Sequence, residues 1–127
     1  MRIIKFRGKR LENGEWLYGD LRHDNAGGCY VYPIESENLF KENKVNPDTV
    51  GQYTGLIDKN GKEIYEGDVL ANVNQPNKCI VKWNRHLAQF QGTWANMPIT
   101  AADIYSMVLL DYRVIGNIHD NPELLNM

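Results

Sequence analysis

The sequence predicts an all-β (mainly β) protein, and three observations carry this prediction. Residues 3–10 alternate between apolar and basic side chains, which is the period-two pattern of a strand with one solvated face. Asn13-Gly14 and the segment from Asp58 to Gly61 have the residue order of tight turns between strand-like flanks. The third observation is that no long amphipathic helical pattern occurs in the sequence.

The N-terminal part predicts a three-stranded antiparallel meander. Asn13-Gly14 joins the first strand to a return strand over residues 16–21. Residues 24–28 are rich in Asp, Asn and Gly and predict a turn, followed by a third strand over 29–32 that Pro33 ends. Residues 35–48 predict a loop with one helical turn around Leu39-Phe40.

The central stretch, residues 52–70, contains two sharp turns close together. Asp58 accepts from the backbone two residues on, and Gly61 takes a positive φ without steric cost. Leu56 and Ile64 are then expected to be neighbours on the buried face. Glu66-Gly67-Asp68 predicts the second turn. Turns at this spacing are typical of a small, strongly bent barrel.

The C-terminal part predicts a strand over 78–83, a return strand over 87–92, and a strand over 112–118 that Gly116 interrupts. Residues 100–110 are ambiguous, and we favour a short helical turn or loop followed by a short strand over 107–110. Asn121-Pro122 predicts a terminal helical turn with Asn at the N-cap. The strands number about eight or nine.

Length and composition indicate one domain, residues 1–127, with a β meander and loop over 1–50 and a barrel over 51–127. Hydrophobic residues make up 43% and charged residues 24%, which is ordinary for a globular protein. No segment has the apolar core of a signal peptide or the roughly 20 apolar residues of a membrane helix. We therefore expect a cytoplasmic protein. The isolated Cys29 and Cys79 are expected to be buried free thiols.

Charge is uneven along the chain. The net charge is −2, but residues 1–22 hold six basic and three acidic side chains. Basic side chains on alternate strand positions recur at ~6–7 Å, which is comparable with phosphate spacing. Aromatic residues on the neighbouring strands could stack bases if exposed. The candidate nucleic-acid-binding residues are Lys5, Arg7, Lys9, Arg10 and Arg22. The favoured interpretation is a solvated edge strand whose charges prevent aggregation.

Four aromatic residues in the predicted barrel have two interpretations. Small barrels need large side chains to fill their interior, so core packing is favoured. The alternative is a groove for an extended peptide or a partner strand. The candidate groove residues are Tyr53, Tyr65, Trp83 and Trp94.

No catalytic, metal or cofactor site is predicted. The acidic cluster of the central stretch fails the calcium-loop template, because Gly61 falls at the fourth position from Asp58 and Val69 at the twelfth. Turn chemistry explains these carboxylates instead. The three histidines lack metal-ligand spacing, and no serine lies in a nucleophile elbow. The acidic cluster consists of Asp58, Glu63, Glu66 and Asp68.

The central stretch, with its Gln-Tyr-Thr-Gly-Leu-x-Asp-Lys-Asn-Gly-Lys-Glu-Ile-Tyr-Glu-Gly-Asp-Val order over residues 52–69, resembles the signature of the YopX family. Residues 1–7, 45–50 and 114–125 are similar to other segments of the same family. The resemblance implies an SH3-like β-barrel with an N-terminal β extension and a phage or prophage origin. It implies no catalytic residues.

The favoured function is a non-enzymatic interaction or assembly module that pairs with itself, as a homo-oligomer, or with a phage or host protein. The first alternative is a nucleic-acid-binding module that uses the basic N-terminal strand. The second is a metal-dependent hydrolase built on the acidic cluster. No cofactor and no membrane partner is expected.

Overall fold

The computed structural model describes residues 1–33, 43–97 and 100–125. Within them the chain is mainly β, as predicted, with eleven strands and one α-helix. The chain divides into two compact units, Met1–Tyr53 and Thr54–Met127, and the boundary falls inside strand β5. In the part of the chain described, no helix is long and apolar enough to cross a membrane. The helical turn predicted around Leu39-Phe40 lies outside the described residues.

Unit one is built from antiparallel strands in the order β4-β3-β2-β1-β5. The Asn13-Gly14 hairpin is confirmed, with Gly14 at φ 73° and the Arg10 N–H donating to the Glu15 carbonyl at 2.8 Å. A short 3-10 helix over Pro47–Thr49 is capped by the Asn46 side chain and leads into β5. The strands are β1 (Phe6–Lys9), β2 (Trp16–His23), β3 (Cys29–Tyr32), β4 (Lys44–Val45) and β5 (Gly51–Ile57).

Within the described residues, the core of unit one is small. Its buried members are Cys29, Val31 and Val45, and Leu17, Leu21 and Val50 pack partly buried against them. The alternation of β2 explains this arrangement, because Leu17 and Leu21 lie on the same side of the strand.

Unit two begins with the end of β5, to which β6 pairs, and continues into a five-stranded sheet of order β10-β9-β8-β7-β11. The Asp58–Gly61 turn is confirmed: Gly61 has φ 81°, and its N–H donates to the Asp58 carbonyl at 2.9 Å. β11 pairs with β7 through a register shift between Val114 and Gly116, where the sequence predicted an interruption. The remaining elements are β6 (Glu63–Tyr65), β7 (Asp68–Ala71), β8 (Cys79–Asn84), β9 (Gln89–Trp94), β10 (Ala101–Asp103), α1 (Ile104–Leu109) and β11 (Arg113–Asn117).

The core of unit two is larger. Helix α1 contributes buried Ile104 and Met107 to it. Leu56 packs against the buried core residues, which include Ile64, its predicted neighbour. The buried members are Ile64, Leu70, Cys79, Val81, Ile104, Met107 and Tyr112. Both cysteines are free and buried, as predicted.

The predicted strand over residues 107–110 is wrong, because Ile104–Leu109 is a helix and the preceding residues form β10. Asp103 is the N-cap, and its side chain accepts from the Ser106 N–H. The cap and the helical spacing of Ile104 and Met107 together favour the helix. The C-terminal helical turn is confirmed as a 3-10 helix over Pro122–Leu125.

No closed barrel is found among the described strands. Each sheet has two edge strands, β4 and β6 in one and β10 and β11 in the other. The SH3-like barrel therefore stays a prediction. The structure also has more strands than the sequence indicated, because β4 and β10 contain only two and three residues and such short segments leave little pattern.

Candidate nucleic-acid interface

One face of the unit-one sheet alternates cations with aromatic rings. Because Leu17 and Leu21 pack into the core, Trp16, Tyr18 and Arg22 project from the opposite side of β2. Directly opposed residues of an antiparallel sheet share a side, so the strand register determines which other residues join them. We call this surface the N-terminal face; it consists of Lys5, Arg7, Lys9, Trp16, Tyr18, Asp20, Arg22, Tyr30, Tyr32, Lys44 and Tyr53.

The inner part of the N-terminal face is formed by β1 and its neighbours. The Arg7 guanidinium lies 4.7 Å from the centroid of the Trp16 ring, and the Lys9 Nζ lies 5.7 Å from the same centroid. The Lys5 Nζ lies 5.1 Å from the Tyr53 ring centroid. At these distances the ring quadrupoles attract the cations and hold them on the face.

The outer part of the N-terminal face is a set of four side chains that we call the outer ladder: Arg22, Tyr32, Tyr30 and Lys44. The two tyrosine rings are parallel within 4°, with centroids 6.3 Å apart. The Arg22 guanidinium lies 5.6 Å from the Tyr32 centroid, and the Lys44 Nζ lies 6.0 Å from the Tyr30 centroid. Arg22 and Lys44 are both exposed. Two parallel, half-buried rings therefore lie on this face, each with an exposed cation beside it.

The β2–β3 turn fixes the position of Tyr30. The Asp24 carboxylate accepts from the backbone N–H groups of Ala26 and Gly28, at 2.9 and 2.7 Å, and from the Tyr30 hydroxyl at 3.0 Å. The Gly28 N–H and the Tyr30 hydroxyl lower the pKa of Asp24. The hydrogen bond that the Tyr30 hydroxyl donates to Asp24 raises the pKa of Tyr30. At neutral pH the pair is therefore a carboxylate and a neutral phenol, and the ring is anchored at its hydroxyl.

Gly19 allows β3 to approach β2 next to Tyr32. It has φ 154°, and a Cβ atom at this position would collide with the Tyr32 carbonyl oxygen and lie 2.9 Å from the Pro33 Cα. Any larger residue would have to push the backbone of β3 away. The close approach of β2 and β3 beside Tyr32 therefore requires a glycine at position 19.

Four of the five predicted nucleic-acid-binding residues, Lys5, Arg7, Lys9 and Arg22, lie on the N-terminal face. The expectation that Arg7 is solvated is wrong, because it is only 5% exposed. Its strand is central in the sheet, between β2 and β5, and its guanidinium covers the Trp16 ring. Ile4, an apolar residue of the alternating segment 3–10, is exposed, because β1 begins only at Phe6.

Arg10 is not part of the N-terminal face. It forms a bridge with Val45, which is a core residue on the other side of the sheet, and contacts the carboxylates of Glu12 and Glu15 at 3.2 and 3.6 Å. Lys44 is on the face but was not predicted, since it lies in a segment interpreted as loop. The only signal for it was the polar–apolar step from Lys44 to Val45.

The four predicted groove residues are not brought together. Tyr53 and Tyr65 are buried, and Trp94 is half-buried with its ring edge-to-face against Tyr112 at 6.3 Å. Trp83 alone of the four is exposed, at 47%. It lines a shallow cleft of about 330 Å³ whose other lining residues are Lys82, Asn84, Arg85, His86, Gln91 and Thr93.

Two members of the acidic cluster, Asp58 and Asp68, order backbone as turn chemistry predicts. Asp58 Oδ1 accepts from the N–H groups of Asn60 and Lys62 at 2.9 Å, and Oδ2 accepts from the Val114 N–H at 3.0 Å. Asp68 accepts from the Tyr65 N–H at 2.7 Å. Among the described residues, no group of three or more His, Cys, Asp or Glu side chains could hold a metal ion.

Comparison with known proteins identifies a family and a related solved structure. The chain is similar to the crystal structure of protein EF1440 from Enterococcus faecalis, with 26% identity and a TM-score of 0.60, over 98% of this chain and 99% of that one. No curated protein matches the chain. The family model of the YopX protein matches residues 5–126, and the chain therefore belongs to the YopX family.

Proposed function

We propose that this chain is a non-enzymatic interaction module that binds nucleic acid through the N-terminal face. The observation that carries the proposal is the shared face itself: residues from five strands bring five cations and five aromatic rings to one side of a sheet, against the carboxylates of Asp20 and of Asp24, which accepts from the Tyr30 hydroxyl. Phosphate and base are the two chemical groups that such a surface matches.

The cations of the face act in two ways. Arg7 is too buried to contact phosphate, so it contributes positive potential. Lys5 and Lys9 are half-buried, while Arg22 and Lys44 are exposed, and these four are the groups expected to contact phosphates. The net charge of −2 belongs to the whole chain, whereas binding depends on the local potential.

The test is fluorescence anisotropy with a labelled oligonucleotide, in single-stranded and duplex form, at salt concentrations from about 50 to about 200 mM. The triple variant Lys5→Gln, Lys9→Gln, Arg22→Gln should bind more weakly, with the slope of log affinity against log salt reduced by about 2–3. A matched control removes the same charge from exposed cations of unit two: Lys59→Gln, Lys62→Gln, Lys82→Gln.

The control variant should bind as the wild type does. Equal losses in the two triple variants would mean that only total charge matters and would contradict a role for the N-terminal face. Absence of binding to either form of nucleic acid at the lowest salt concentration would exclude the proposed function.

The non-enzymatic part of the proposal is supported by the way the acidic cluster is used. Asp58 and Asp68 direct their oxygens at backbone N–H groups, so these carboxylates serve the turns. A metal-dependent hydrolase would predict that divalent ions raise the melting temperature. We expect no such change for this protein.

Self-assembly is a second candidate. Tyr105 and Leu109 are one helical turn apart on α1 and are exposed, as is the adjoining Leu110. Exposed apolar side chains grouped in this way are typical of contact surfaces. Size-exclusion chromatography with light scattering should then give a dimer or larger species that Leu109→Lys dissociates. A monomer at high concentration would exclude the homo-oligomer.

Assembly by strand pairing has less support than assembly through the helix. The edge strands β4, β6 and β10 contain only two or three residues each, and the Val114 N–H of edge strand β11 is already bound by Asp58. Short and blocked edges oppose edge-to-edge pairing.

A phage or prophage origin also forms part of the proposal. Its support is membership of the YopX family, to which the resemblance attributes that origin. The expectation is checked by the position of the gene, which should lie among phage genes in the chromosome that carries it.

A further inference from the structure

We infer that the outer ladder makes the N-terminal face selective for single-stranded nucleic acid, whose bases stack on Tyr30 and Tyr32 while Arg22 and Lys44 contact the flanking phosphates. This inference rests on the proposed function and adds the form of nucleic acid and the residues that read it.

The first step is the geometry of the rings. Tyr30 and Tyr32 lie two residues apart on β3, so both project to the same side, and their planes are parallel within 4°. Successive unpaired bases also have parallel planes, and every base has a π-face on which a ring can stack. The faces of paired bases inside a duplex are already stacked on their neighbours and are not accessible to side chains from the groove. Parallel rings that are only half-buried therefore favour unpaired bases.

The second step is pre-organisation. The Tyr30 hydroxyl donates to Asp24, whose carboxylate is itself held by two backbone N–H groups of the same turn. The backbone of Tyr32 lies so close to Gly19 that a Cβ atom would not fit between β2 and β3. Rings that are positioned before binding lose little conformational entropy when a base stacks on them.

The third step is the placement of charge. Arg22 and Lys44 come from the strands on either side of β3 and are directly opposite Tyr30 in the register. Both cations are exposed on long side chains. The Arg22 guanidinium lies 5.6 Å from the Tyr32 ring centroid, and the Lys44 Nζ lies 6.0 Å from the Tyr30 ring centroid. Because cation–π attraction at exposed sites is weak, a phosphate can draw each cation away from its ring. A base can then occupy the ring face that the cation leaves.

The test compares anisotropy titrations of the full chain with a labelled oligothymidylate of about 12 nucleotides and with the same strand paired to oligoadenylate, at equal salt. The wild type should bind the single strand more tightly than the duplex. The variant Tyr30→Ala, Tyr32→Ala should bind the single strand about tenfold or more weakly, as expected when stacked rings are removed. The matched control Tyr30→Phe, Tyr32→Phe keeps both rings but loses the Tyr30 hydroxyl that Asp24 anchors, so it should bind more weakly than the wild type and still prefer the single strand.

Photo-crosslinking provides a measurement that does not depend on the alanine variant folding. An oligonucleotide that carries 5-iodouracil is irradiated with the wild-type protein, and the linked residues are identified by mass spectrometry. Crosslinks to Tyr30 or Tyr32 are expected. Crosslinks confined to other residues would overturn the inference.

The outcomes separate this inference from the proposed function. Duplex binding as tight as single-strand binding, or undiminished binding by the alanine variant, would overturn the inference and leave nucleic-acid binding intact. Failure of both oligonucleotides to bind, together with binding of an acidic peptide such as polyglutamate, would overturn both and identify the N-terminal face as a protein-binding surface.

Discussion

At the scale of single residues, two glycines show how the same substitution can have different costs. Gly19 has a positive φ, and its Cβ position is blocked by the backbone of Tyr32 and Pro33. Gly27 also has a positive φ, 86°, but a Cβ there would have nothing within 4 Å. Both positions oppose an L side chain conformationally, and only Gly19 adds a steric clash.

Gly27→Ala should therefore lower the free energy of unfolding by about 1–2 kcal/mol, which is the cost of a left-handed conformation for a residue with a Cβ. Gly19→Ala should cost clearly more, since backbone atoms cannot rotate away as a side chain can. Urea unfolding of the two variants measures the difference. Equal costs would show that β3 shifts readily and that the outer ladder is not fixed by this contact.

The buried thiol of Cys79 predicts a loss of stability in alkali. Burial raises the pKa of Cys79 from its ordinary value of 9.0 to about 12. Burial also raises the pKa of Tyr112, with a further contribution from the Cys79 charge. Both groups keep a proton in the folded state that the unfolded chain gives up, so stability is complete below pH ~9 and falls as the pH rises toward ~12.

The slope should reach at most about 1.4 kcal/mol per pH unit for each group. Chemical unfolding at several pH values checks this, and the variant Cys79→Ala should show a shallower decline although its stability at neutral pH is lower. An unchanged slope in that variant would mean that Cys79 does not titrate in this range. The folded thiol should also react slowly with alkylating reagents at neutral pH.

The residue-scale predictions from sequence succeeded where a local rule was sufficient. Gly14 and Gly61 were recognised from turn chemistry alone. Arg7 was misjudged, because its burial depends on β1 being central in the sheet and on the Trp16 ring, neither of which period-two alternation reveals. Lys44 was missed because its strand contains only two residues and forms through pairing with β3.

At the scale of elements, Asp58 joins the β5–β6 turn to the edge strand β11. Its two carboxylate oxygens accept from Asn60, Lys62 and Val114, and the residue is only 3% exposed. The side chain thus closes a turn and blocks part of a sheet edge. Arg113 reinforces the same junction by donating to the Asn60 side chain at 2.6 Å.

Asp58→Ala should destabilise the protein by roughly 2–4 kcal/mol, because three backbone donors lose their acceptor in a poorly hydrated position. It should also increase aggregation, since the Val114 N–H at the edge becomes available for strand pairing. Asp58→Asn keeps one oxygen for the turn and loses only part of this energy. Thermal unfolding followed with light scattering measures both effects, and a soluble alanine variant of normal stability would contradict the joint role.

The helix α1 shows why one element was mispredicted. A six-residue element offers fewer than two helical turns of periodicity, and Met107 to Leu110 are equally apolar in a strand pattern. The decisive features are the Asp103 cap and the space over Gly92, into which the Met107 side chain fits. The fit of Met107 over Gly92 is a tertiary contact between residues far apart in the sequence. It cannot be read from the local sequence.

At the scale of the whole molecule, the two units differ in the size of their cores. Among the described residues, unit two has seven buried core residues and unit one has three. The burial of apolar area is the main stabilising contribution to each unit, so the units should differ in local stability. The sequence did not predict this difference in core size, because it depends on which apolar side chains of different strands come into contact.

Native-state hydrogen exchange should therefore show the slowest amides in β7 and β8 of unit two and faster exchange in β2 and β3 of unit one. Exchange measured by mass spectrometry after pepsin digestion resolves the two sets of strands. Uniform protection across the chain would mean that the protein opens only as a whole. In that case core size would not control the local openings.

The position of the unit boundary has a consequence for how members of such a family can diversify. The boundary falls between Tyr53 and Thr54, in the interior of a seven-residue strand and away from any connecting loop. A genetic crossover there would have to preserve the inward–outward alternation of that strand to the exact codon, because an offset of one residue reverses every side chain beyond it. The two halves are therefore expected to be inherited together, and new specificities of the proposed nucleic-acid-binding face should arise by substitution of its rings and cations rather than by shuffling of halves.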